Sequence, residues 1–333
     1  MQPPRSNSDG ERLVAAIVHY GDLEPTRATV ESIRRTYPPA EIWVVDNQGE
    51  ARRRMGAPIG GVIDRWLEPG ENLGYGGAID LAASAALGEE RFDAILALNN
   101  DVELAPGATA ALLDELRLDR RTAAVTPRIL RPGRAARIWY DGGSIDWTRG
   151  TGRVPRAGRP AKGAGVGDPH DVDFASGCVL LLRLGALAAE GGFDRRYFLY
   201  EEDVELSLRL RGAGWRLRHV PGATVHHAGQ ASQRGTGEAF RPLHDPRHPR
   251  LERLIELRVS NRLLTARRHA RGTDRLRFCI GFPIYWNAKC LQATLCGRPL
   301  AWSALLNGLR RYRRLSAHPP DDALSGGESA PVV

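Results

Sequence analysis

Apolar runs alternate along the first two thirds of the chain with segments whose apolar residues recur at helical spacing. The runs are dominated by apolar residues, as in strands that are buried on both faces of a parallel sheet. They comprise residues 13–18, 40–45, 61–63, 92–98, 178–183 and 215–227. The helical segments comprise residues 25–37, 78–87, 107–118 and 195–210. This alternation with short connections predicts an α/β fold with a doubly wound, mainly parallel sheet.

Other parts of the chain lack this alternation. Residues 149–171 are rich in Gly, Pro and Arg and have no apolar period, which predicts a long mobile loop. Residues 1–11 and 316–333 are polar, and we expect both ends to be disordered. The resulting division predicts an α/β domain over 12–240 and a helical region over 241–315.

That C-terminal region is strongly basic, although the whole chain carries a formal net charge of only +8. Residues 241–314 contain 17 Lys and Arg against 4 Asp and Glu. Residues 251–270 have helical apolar spacing, and residues 278–295 are apolar and aromatic but contain Pro283 and Lys289. This second segment is poorly suited to span a membrane and is typical of an interfacial helix. We expect either a subdomain packed on the core or peripheral attachment to an anionic membrane surface.

The cysteine content bears on the cellular compartment. Cys178, Cys279, Cys290 and Cys296 contain no C-x-x-C pair and are too few for a disulfide framework. The first apolar run is too short for a secretion signal. We therefore expect reduced thiols and a cytoplasmic protein, with peripheral membrane attachment as an extension of that location.

Three polar residues, Asn99, Asn100 and Asp101, directly follow the fourth apolar run, and Asp46 and Asn47 follow the second. Ligands of open α/β sheets bind beyond the carboxyl ends of such strands. A carboxylate there suits Mg²⁺ or Mn²⁺, which would offset the charge of a departing diphosphate. We expect Asp101 to contact the metal; the alternative is an ordinary turn.

A glycine-rich segment containing Asn72, Gly76 and Gly77 precedes a predicted helix. Its amides are placed to approach a phosphate or a sugar closely. A dinucleotide-binding fingerprint is the rival interpretation. The glycine spacing of this segment does not match that fingerprint, because Ile79 occupies the position of the third glycine. The segment also follows the third predicted strand rather than the first.

Three consecutive acids, Glu201, Glu202 and Asp203, stand in a helical segment. A single acid at a helix start is an ordinary cap or dipole partner. Three acids repel one another unless a cation or a substrate offsets their charge. The pattern predicts a general base for an acceptor hydroxyl, with Asp203 as the base and Glu202 orienting the acceptor.

A histidine pair, His226 and His227, ends the last apolar run. Such a pair is most often structural. An imidazole at the same sheet edge as Asp101 would instead complete the shell of a metal ion.

Taken together, these segments resemble family 2 glycosyltransferases with a GT-A fold, and the bacterial rhamnosyltransferase-like group is nearest. The resemblance covers about residues 12–235 and is most specific over residues 191–206. It implies an inverting hexosyltransferase that moves a sugar from a nucleotide-diphospho-sugar to a cell-surface glycan or polyprenyl-linked acceptor. The first donor that it suggests is dTDP-rhamnose.

The resemblance also implies roles for individual residues. Asp203 matches the base of the family's E-D motif, Asp101 matches the metal-binding acid of its D-x-D motif, and His227 matches its metal-linked histidine. His226 is the second choice for that histidine. The residues implied to line the nucleotide-sugar are Val18, His19, Tyr20, Asp46, Asn47, Asn72, Gly76, Gly77, Asn99, Asn100, Ser176 and Gly177.

The chain departs from the family pattern at two places. Asn99 stands where the family has the first acid of D-x-D, so a modest metal affinity is implied. Residues 19–22, His-Tyr-Gly-Asp, replace the usual Thr-Tyr-Asn and leave the contacts to the nucleobase open.

Two rival functions come from other classes. One is an NAD(P)-dependent oxidoreductase, which the glycine spacing disfavours. The other is a catalytically silent protein that binds a glycan or nucleic acid, which the presence of Asp101, Asp203 and His227 together disfavours. We expect no nucleic-acid partner.

Overall fold

The computed structural model describes residues 12–49, 62–131, 133, 136–161, 167–229 and 245–318. Its strands are β1 (Leu13–His19), β2 (Glu41–Asp46), β3 (Arg65–Leu67), β4 (Ala94–Asn99), β5 (Val102–Leu104), β6 (Thr122–Arg131), β7 (Arg137–Tyr140), β8 (Ser144–Asp146), β9 (Thr151–Arg153), β10 (His170–Asp171), β11 (Val179–Arg183) and β12 (Arg216–His227). The helices are α1 (Leu23–Thr36), α2 (Gly74–Gly88), α3 (Ala108–Leu118), α4 (Leu184–Ala189), α5 (Glu202–Gly212), α6 (Leu251–His269), α7 (Gly272–Leu295) and α8 (Ala301–Ser316).

A mixed sheet of ten of the described strands forms the centre of the fold. Eight of them follow in the order β10-β12-β6-β11-β4-β1-β2-β3, while β5 pairs with β12 and β7 with β6. Strands β3, β2, β1 and β4 are parallel, β11 is antiparallel to both β4 and β6, and β6 is parallel to β12. Val18 pairs with Val45 on one side and with Asn99 on the other. The carboxyl ends of β1, β2 and β4 therefore lie side by side at one sheet edge, which confirms the predicted α/β class.

Both faces of the sheet are buried, as the continuous apolar runs predict. Along β1, Leu13, Ala15 and Ile17 face a core shared with α1 and α3, whereas Val14 and Ala16 face a core shared with α2. All five side chains are buried. Burial of each large apolar side chain contributes roughly 1.5–3 kcal/mol, so the two cores hold the strand ends in a fixed arrangement.

The C-terminal helices α6, α7 and α8 have a third core of their own. Helices α6 and α8 approach closely because Gly308 faces Val259, and a Cβ at position 308 would lie 2.7 Å from that of Val259. Arg298 and Glu252 form an ion pair at 2.6 Å between the ends of α6 and α7. Among the helices that the structure describes, none is both long and apolar enough to cross a bilayer.

The third strand was predicted in the wrong place. It lies at Arg65–Leu67, and Val62 and Ile63 belong to no strand; Gly61 lies outside the described residues. Asp64 explains the shift, because its backbone N–H donates to the Ile42 carbonyl at 2.9 Å and its carboxylate accepts from the Ile42 N–H at 2.7 Å. Pairing with β2 therefore begins only after Asp64.

The ten-residue strand β6 was missed altogether. It does not read as an apolar run because it carries the buried polar residues Thr122, Thr126 and Arg128. The Arg128 guanidinium is neutralised by Asp141 at 2.7 Å. A partner distant in sequence thus makes a charged strand position possible.

Helix boundaries differ from the prediction at both acidic and glycine-rich segments. Helix α2 begins at Gly74, so Gly76 and Gly77 lie in its first turn rather than in a loop. Helix α5 begins only at Glu202, since Phe198, Tyr200 and Glu201 have positive φ values that no α-helix accepts.

The predicted loop over 149–171 contains β9 and β10, and its residues 162–166 lie outside the described part. The expected disorder of residues 1–11 and 319–333 also falls outside the described residues. Ser316, however, is the last residue of α8 and not part of a tail, since its hydroxyl donates to the Arg313 carbonyl at 3.1 Å. The domain boundaries stay a prediction.

The close contact at Gly76 provides a test of the packing. A Cβ there would lie 2.7 Å from Cβ of Phe193, so we expect Gly76→Ala to lower the free energy of unfolding by roughly 1–3 kcal/mol. Gly88→Ala in the same helix meets no atom within 4 Å and should leave stability equal or raise it by up to about 1 kcal/mol. Urea denaturation measures both, and equal values for the two variants would contradict the packing.

Candidate active site

Asp101 and His227 meet at the carboxyl edge of the sheet. Asp101 follows β4, and His227 ends β12; the His227 Nε2 lies 3.0 Å from Oδ1 of Asp101 and 3.4 Å from the amide nitrogen of Asn99. Trp139 packs its ring edge-on at 4.9 Å against the imidazole. Two residues that are 126 positions apart in the sequence are thereby brought into direct contact.

The environment of His227 favours its charged form. Burial opposes the imidazolium, but Cys178 and Asp101 outweigh it and raise the pKa of His227 to about 10. Its Nδ1 is buried without a hydrogen-bond partner. His227 thus carries a positive charge next to Asp101. A metal ion bound by both side chains would displace the proton of the imidazolium.

The donor set suits a divalent metal that is also held by a substrate. Within the described residues, no three His, Cys, Asp or Glu side chains come close enough together to hold a metal ion by themselves. Asp101 and His227 supply one carboxylate and one imidazole, and Mg²⁺ or Mn²⁺ commonly takes its remaining ligands from water and substrate phosphates. The residues present therefore fit a metal that arrives with a diphosphate.

His226 lies on the other side of β12. The side chain lines a cavity of about 650 Å³ together with Asp22, Glu24, Glu103 and Asp101 itself. Successive strand residues point to opposite faces, and it is His227 whose imidazole contacts the Asp101 carboxylate at 3.0 Å. This contact favours His227, and the metal role of either histidine stays a prediction.

Asp203 is held at the same sheet edge by β11. The backbone N–H of Gly177 donates to Oδ2 of Asp203 at 2.9 Å, and a Cβ at position 177 would lie 3.2 Å from that of Asp203. Tyr75 donates its hydroxyl to the Gly177 carbonyl, and Ser176 accepts from the Cys178 N–H at 3.3 Å. Glycine at 177 is thus needed for the close approach of the acid.

The two acidic sites are neighbours rather than separate features. The Asn99 N–H donates to the Cys178 carbonyl at 3.0 Å, so Cys178 connects the Asp203 side of the site to the Asp101 side. Burial raises the pKa of the Cys178 thiol, and Asp101 and Asp203 both contribute to this increase. Cys178 is thus near both acids, and the convergence of Asp101, Asp203 and His227 on one ligand stays a prediction.

The adjacent acids Glu202 and Asp203 have different protonation behaviour. Burial raises the pKa of Asp203 to about 6, and the charge of Glu201 adds to this effect against the hydrogen bond from Gly177. Burial and the charge of Asp203 raise the pKa of Glu202 well above its ordinary value. With a pKa of about 6, Asp203 is ionised at neutral pH, whereas Glu202, whose Oε2 is buried without a hydrogen-bond partner, holds its proton more firmly than an ordinary carboxyl.

The loop that carries these acids is strained and is clamped by helix α6. Phe198, Tyr200 and Glu201 have φ values of 45°, 69° and 68°, each costing of order 1 kcal/mol or more. The side-chain amide of Asn261 donates to the carbonyls of Tyr197, Leu199 and Tyr200 at 2.7–3.0 Å. Sequence analysis missed Asn261 because nothing in an Asn within a basic helix indicates this contact.

Glu201 has a structural role in the same clamp. The carboxylate accepts from Nε of the buried Arg262 at 2.8 Å and from the Thr151 hydroxyl at 2.7 Å. The first of the three acids is thereby neutralised by α6, which leaves Glu202 and Asp203 for chemistry. The arginine clustering noted in the sequence was the only signal for Arg262.

The residues predicted to line the nucleotide lie at the same edge, but several of their side chains hold the loops together. Asn100 donates to the Tyr20 carbonyl at 3.3 Å and to the Thr26 hydroxyl at 3.1 Å. Thr26 also contacts Nδ1 of His19 at 2.6 Å. Val18 is buried at its strand end, whereas the Tyr20 side chain is 44% exposed and accessible to a ligand.

The polar residues after β2 have a comparable role. Asp46 accepts from the backbone N–H groups of Gln48 and Gly49 at 3.0 and 2.9 Å. Asn47 donates to the Gly74 carbonyl at 2.9 Å and so joins this turn to the start of α2. Both residues shape the base of the cleft, and their contact with a nucleotide stays a prediction.

The glycine-rich segment is explained largely by packing. The exposed Asn72 accepts from the Gly74 N–H at 2.9 Å and so initiates α2. A Cβ at Gly74 would overlap the Phe198 carbonyl, Gly76 faces Phe193, and Gly77 approaches Leu73. Close contact with Phe198 accounts for Gly74, and close contact with Phe193 accounts for Gly76. Ligand contacts of Gly76 and Gly77 stay a prediction.

Comparison with known proteins identifies the family. Residues 15–183, just over half of the chain, match the family model described as Glycosyl transferase family 2. The chain belongs to this family. The predicted resemblance is thereby confirmed, and an oxidoreductase is disfavoured.

Two curated relatives of this family 2 glycosyltransferase carry related names. The chain is 34% identical over 198 residues to the N-acetylglucosaminyl-diphospho-decaprenol L-rhamnosyltransferase of Mycobacterium tuberculosis, covering 51% of this chain and 61% of the relative. It is 39% identical over 71 residues to Rhamnosyltransferase WbbL of Escherichia coli, covering 21% and 27%. The chain thus spans less than two thirds of the length of either relative.

Solved structures confirm the GT-A fold. GalNAc-T7 with UDP, GalNAc and Mn²⁺ has a TM-score of 0.55 at 19% identity, covering 66% of this chain and 44% of that one. The mannosyltransferase PcManGT of Pyrobaculum calidifontis, in complex with GDP-Man and Mn²⁺, has a TM-score of 0.51 at 13% identity, covering 95% and 78%. At these identities the likeness concerns the fold alone.

The clamp on the acidic loop predicts a positioning role for Asn261. Asn261→Asp keeps the shape but loses the donated hydrogen bonds, so we expect the turnover of a nucleotide-sugar to fall roughly 10- to 100-fold. The KM for the donor should stay unchanged, and the pH dependence of turnover should shift because the surroundings of Asp203 change. Asn307→Ala, at an exposed position of α8, is the control. A uniform loss of donor binding in Asn261→Asp would contradict the positioning role.

Proposed function

We propose that this protein is a metal-dependent inverting glycosyltransferase that extends a polyprenyl-linked or cell-surface glycan. The observation that carries the proposal is the convergence of an ionised base, Asp203, and an Asp101–His227 pair at one sheet edge. The family assignment and the names of the curated relatives support it. Rhamnose is proposed from those names, and dTDP as its carrier from the family resemblance noted in the sequence.

The proposed reaction is a single displacement at the anomeric carbon. The acceptor oxygen forms a bond to that carbon while the bond to the diphosphate oxygen breaks, and the nucleotide diphosphate leaves. Asp203 takes the acceptor proton, and the Glu202 carboxyl orients the acceptor by a hydrogen bond. Asp101 and His227 would hold Mg²⁺ or Mn²⁺, which when bound offsets the charge of the leaving diphosphate.

A silent binding protein is the remaining rival, and the site argues against it. A purely structural acid pair would be neutralised by arginine, as Glu201 and Glu205 are. Instead, the buried Glu202 and the half-buried Asp203 have no cationic partner among the described residues, and their pKa values are raised. Uncompensated buried acids cost stability, which is expected where chemistry needs a base near neutral pH.

We also propose that the protein attaches peripherally to the inner face of the plasma membrane. Helix α7 exposes apolar side chains along one face, with exposed fractions of 55–81% for Leu276, Ile280, Ile284, Leu291 and Leu295. Arg275 and Arg310 are exposed nearby on α7 and α8. Apolar contact and attraction to anionic lipid together suit interfacial binding.

The proposed chemistry makes the base assignment testable. Hydrolysis of dTDP-rhamnose should require Mg²⁺ or Mn²⁺ and fall about tenfold per pH unit below about 6, because Asp203 must be ionised. Asp203→Asn should lower turnover by about 10²–10⁴-fold and remove this pH limb, while dTDP still raises the melting temperature. Asp114→Asn, at an exposed site on α3, is the matched control. Near-normal turnover in Asp203→Asn would refute the base assignment, and unchanged wild-type turnover in EDTA would refute the metal dependence.

Vesicle flotation tests the membrane proposal. The wild type should float with anionic vesicles at low salt and be released at high salt, because electrostatic attraction is screened. Ile284→Ser combined with Leu291→Ser should abolish flotation, whereas Leu118→Ser, which changes an exposed leucine on α3, should not. Failure of the wild type to bind at low salt would overturn the proposal.

A further inference from the structure

Three hydrogen-bond donors without an acceptor lie between helices α6 and α7. They are Nε of Arg258, Nη1 of Arg262 and Nε1 of Trp286, and all three atoms are buried. Buried polar groups are nearly always hydrogen-bonded, so each exception calls for a reason. Donors alone are left over in this cluster, and a missing partner must therefore be an acceptor.

The cluster also has an excess of positive charge. Arg262 is paired with Glu201, but Arg258 forms no hydrogen bond or ion pair with any described residue. Its guanidinium lies 5.1 Å from the ring centre of Tyr200 and is surrounded by Arg262, Tyr285 and the single acid Glu201. Arg258 is partly buried and its Nε is fully buried, so a cation there with no anion of its own is costly, and an anionic ligand would reduce that cost.

A small cavity beside Arg258 indicates the size and polarity of the ligand. It has a volume of about 40 Å³, which holds a few water-sized groups and is too small for a nucleoside. Its polar residues include Arg258, Trp286, Lys289 and Gln292, whereas Leu251, Leu254 and Ile255 form an apolar wall. Gln292 is exposed, so the cavity reaches the surface. These properties suit the head group of an amphiphile.

The cavity is connected to the active site through the clamped loop. Arg262 binds Glu201, and Arg258 stacks on Tyr200, both of which directly precede Glu202 and Asp203. An anion bound at Arg258 would thus sit next to the segment that carries the base. If such a ligand is the acceptor, its attached sugar must reach Asp203 past this segment.

We propose that this cavity binds the phosphate or diphosphate group of the lipid-linked acceptor, with Arg258 as its principal ligand and Lys289 as a second cation. The assignment rests on the proposed function for the identity of the ligand as acceptor, and on the unpartnered donors for the existence of the anion site. It makes helix α6 part of the acceptor site as well as the support of the base.

Isothermal titration of the full-length protein tests this site. Inorganic pyrophosphate and farnesyl diphosphate are titrated in EDTA, which removes divalent metal and so prevents diphosphate binding at a metal-dependent donor site. The wild type should bind farnesyl diphosphate more tightly than pyrophosphate because of the apolar wall. Arg258→Gln should weaken both by about tenfold or more, since a charge-assisted hydrogen bond is lost. Arg253→Gln, on the exposed side of the same helix, should bind as the wild type does.

Two further measurements exclude the alternatives. The melting temperature of Arg258→Gln should equal or exceed that of the wild type, because a charge without an anionic partner is removed. A clear decrease would mean that Arg258 mainly stabilises the fold, and it would overturn the proposal. Stabilisation by dTDP with Mn²⁺ should be the same in Arg258→Gln, and its loss would assign the cavity to the donor. Equal diphosphate binding by Arg258→Gln and the wild type would also overturn it.

The same experiments separate this site from the proposed reaction. The wild type could fail to bind dTDP and to hydrolyse the donor while Arg258→Gln still weakens the binding of farnesyl diphosphate. That result would support the head-group site and contradict the transfer function. If the donor is hydrolysed but no diphosphate binds in EDTA, the result would support the transfer function and contradict the head-group site.

Discussion

The active site depends on one interaction, the clamp that the Asn261 side chain forms on the loop before Glu202. Phe198, Tyr200 and Glu201 adopt backbone conformations that favour glycine, and a chain does not hold such conformations without compensation. One amide donating to three carbonyls provides it, and the Arg262–Glu201 pair adds a second attachment. Without this clamp the acids would not face β11, where Gly177 receives Asp203.

The site separates its charges into two parts that suit opposite tasks. On one side, burial without a described cationic partner raises the pKa of Glu202 and places the pKa of Asp203 at about 6. On the other side, Asp101 and His227 compensate each other as an ion pair. In the proposed reaction, the first side deprotonates the acceptor, and the second would hold the metal that stabilises the leaving group.

The basic C-terminal region therefore contributes to the site rather than only to the surface. Its first helix supplies the clamp, neutralises Glu201 and carries Arg258, while α7 and α8 complete the core that holds this helix in place. The proposed membrane surface and the proposed head-group cavity both lie on these helices. A lipid-linked acceptor would then be bound by the same elements that position the base.

Much of the fold and part of the site follow from the sequence alone, because they depend on local patterns. Buried parallel strands appear in the sequence as apolar runs. Polar residues directly after such runs, as at Asp46 and Asp101, must lie at the carboxyl edge of the sheet. What local patterns could not supply are contacts between distant segments. Strand β6 has buried charge because Asp141 neutralises Arg128, Gly76 is glycine because Phe193 packs on it, and His227 rather than His226 faces Asp101 because of the register of β12. The clamp by Asn261 and the unpaired Arg258 also depend on partners far away in the chain, and only the tertiary structure decides which polar groups are compensated and which are left for a substrate.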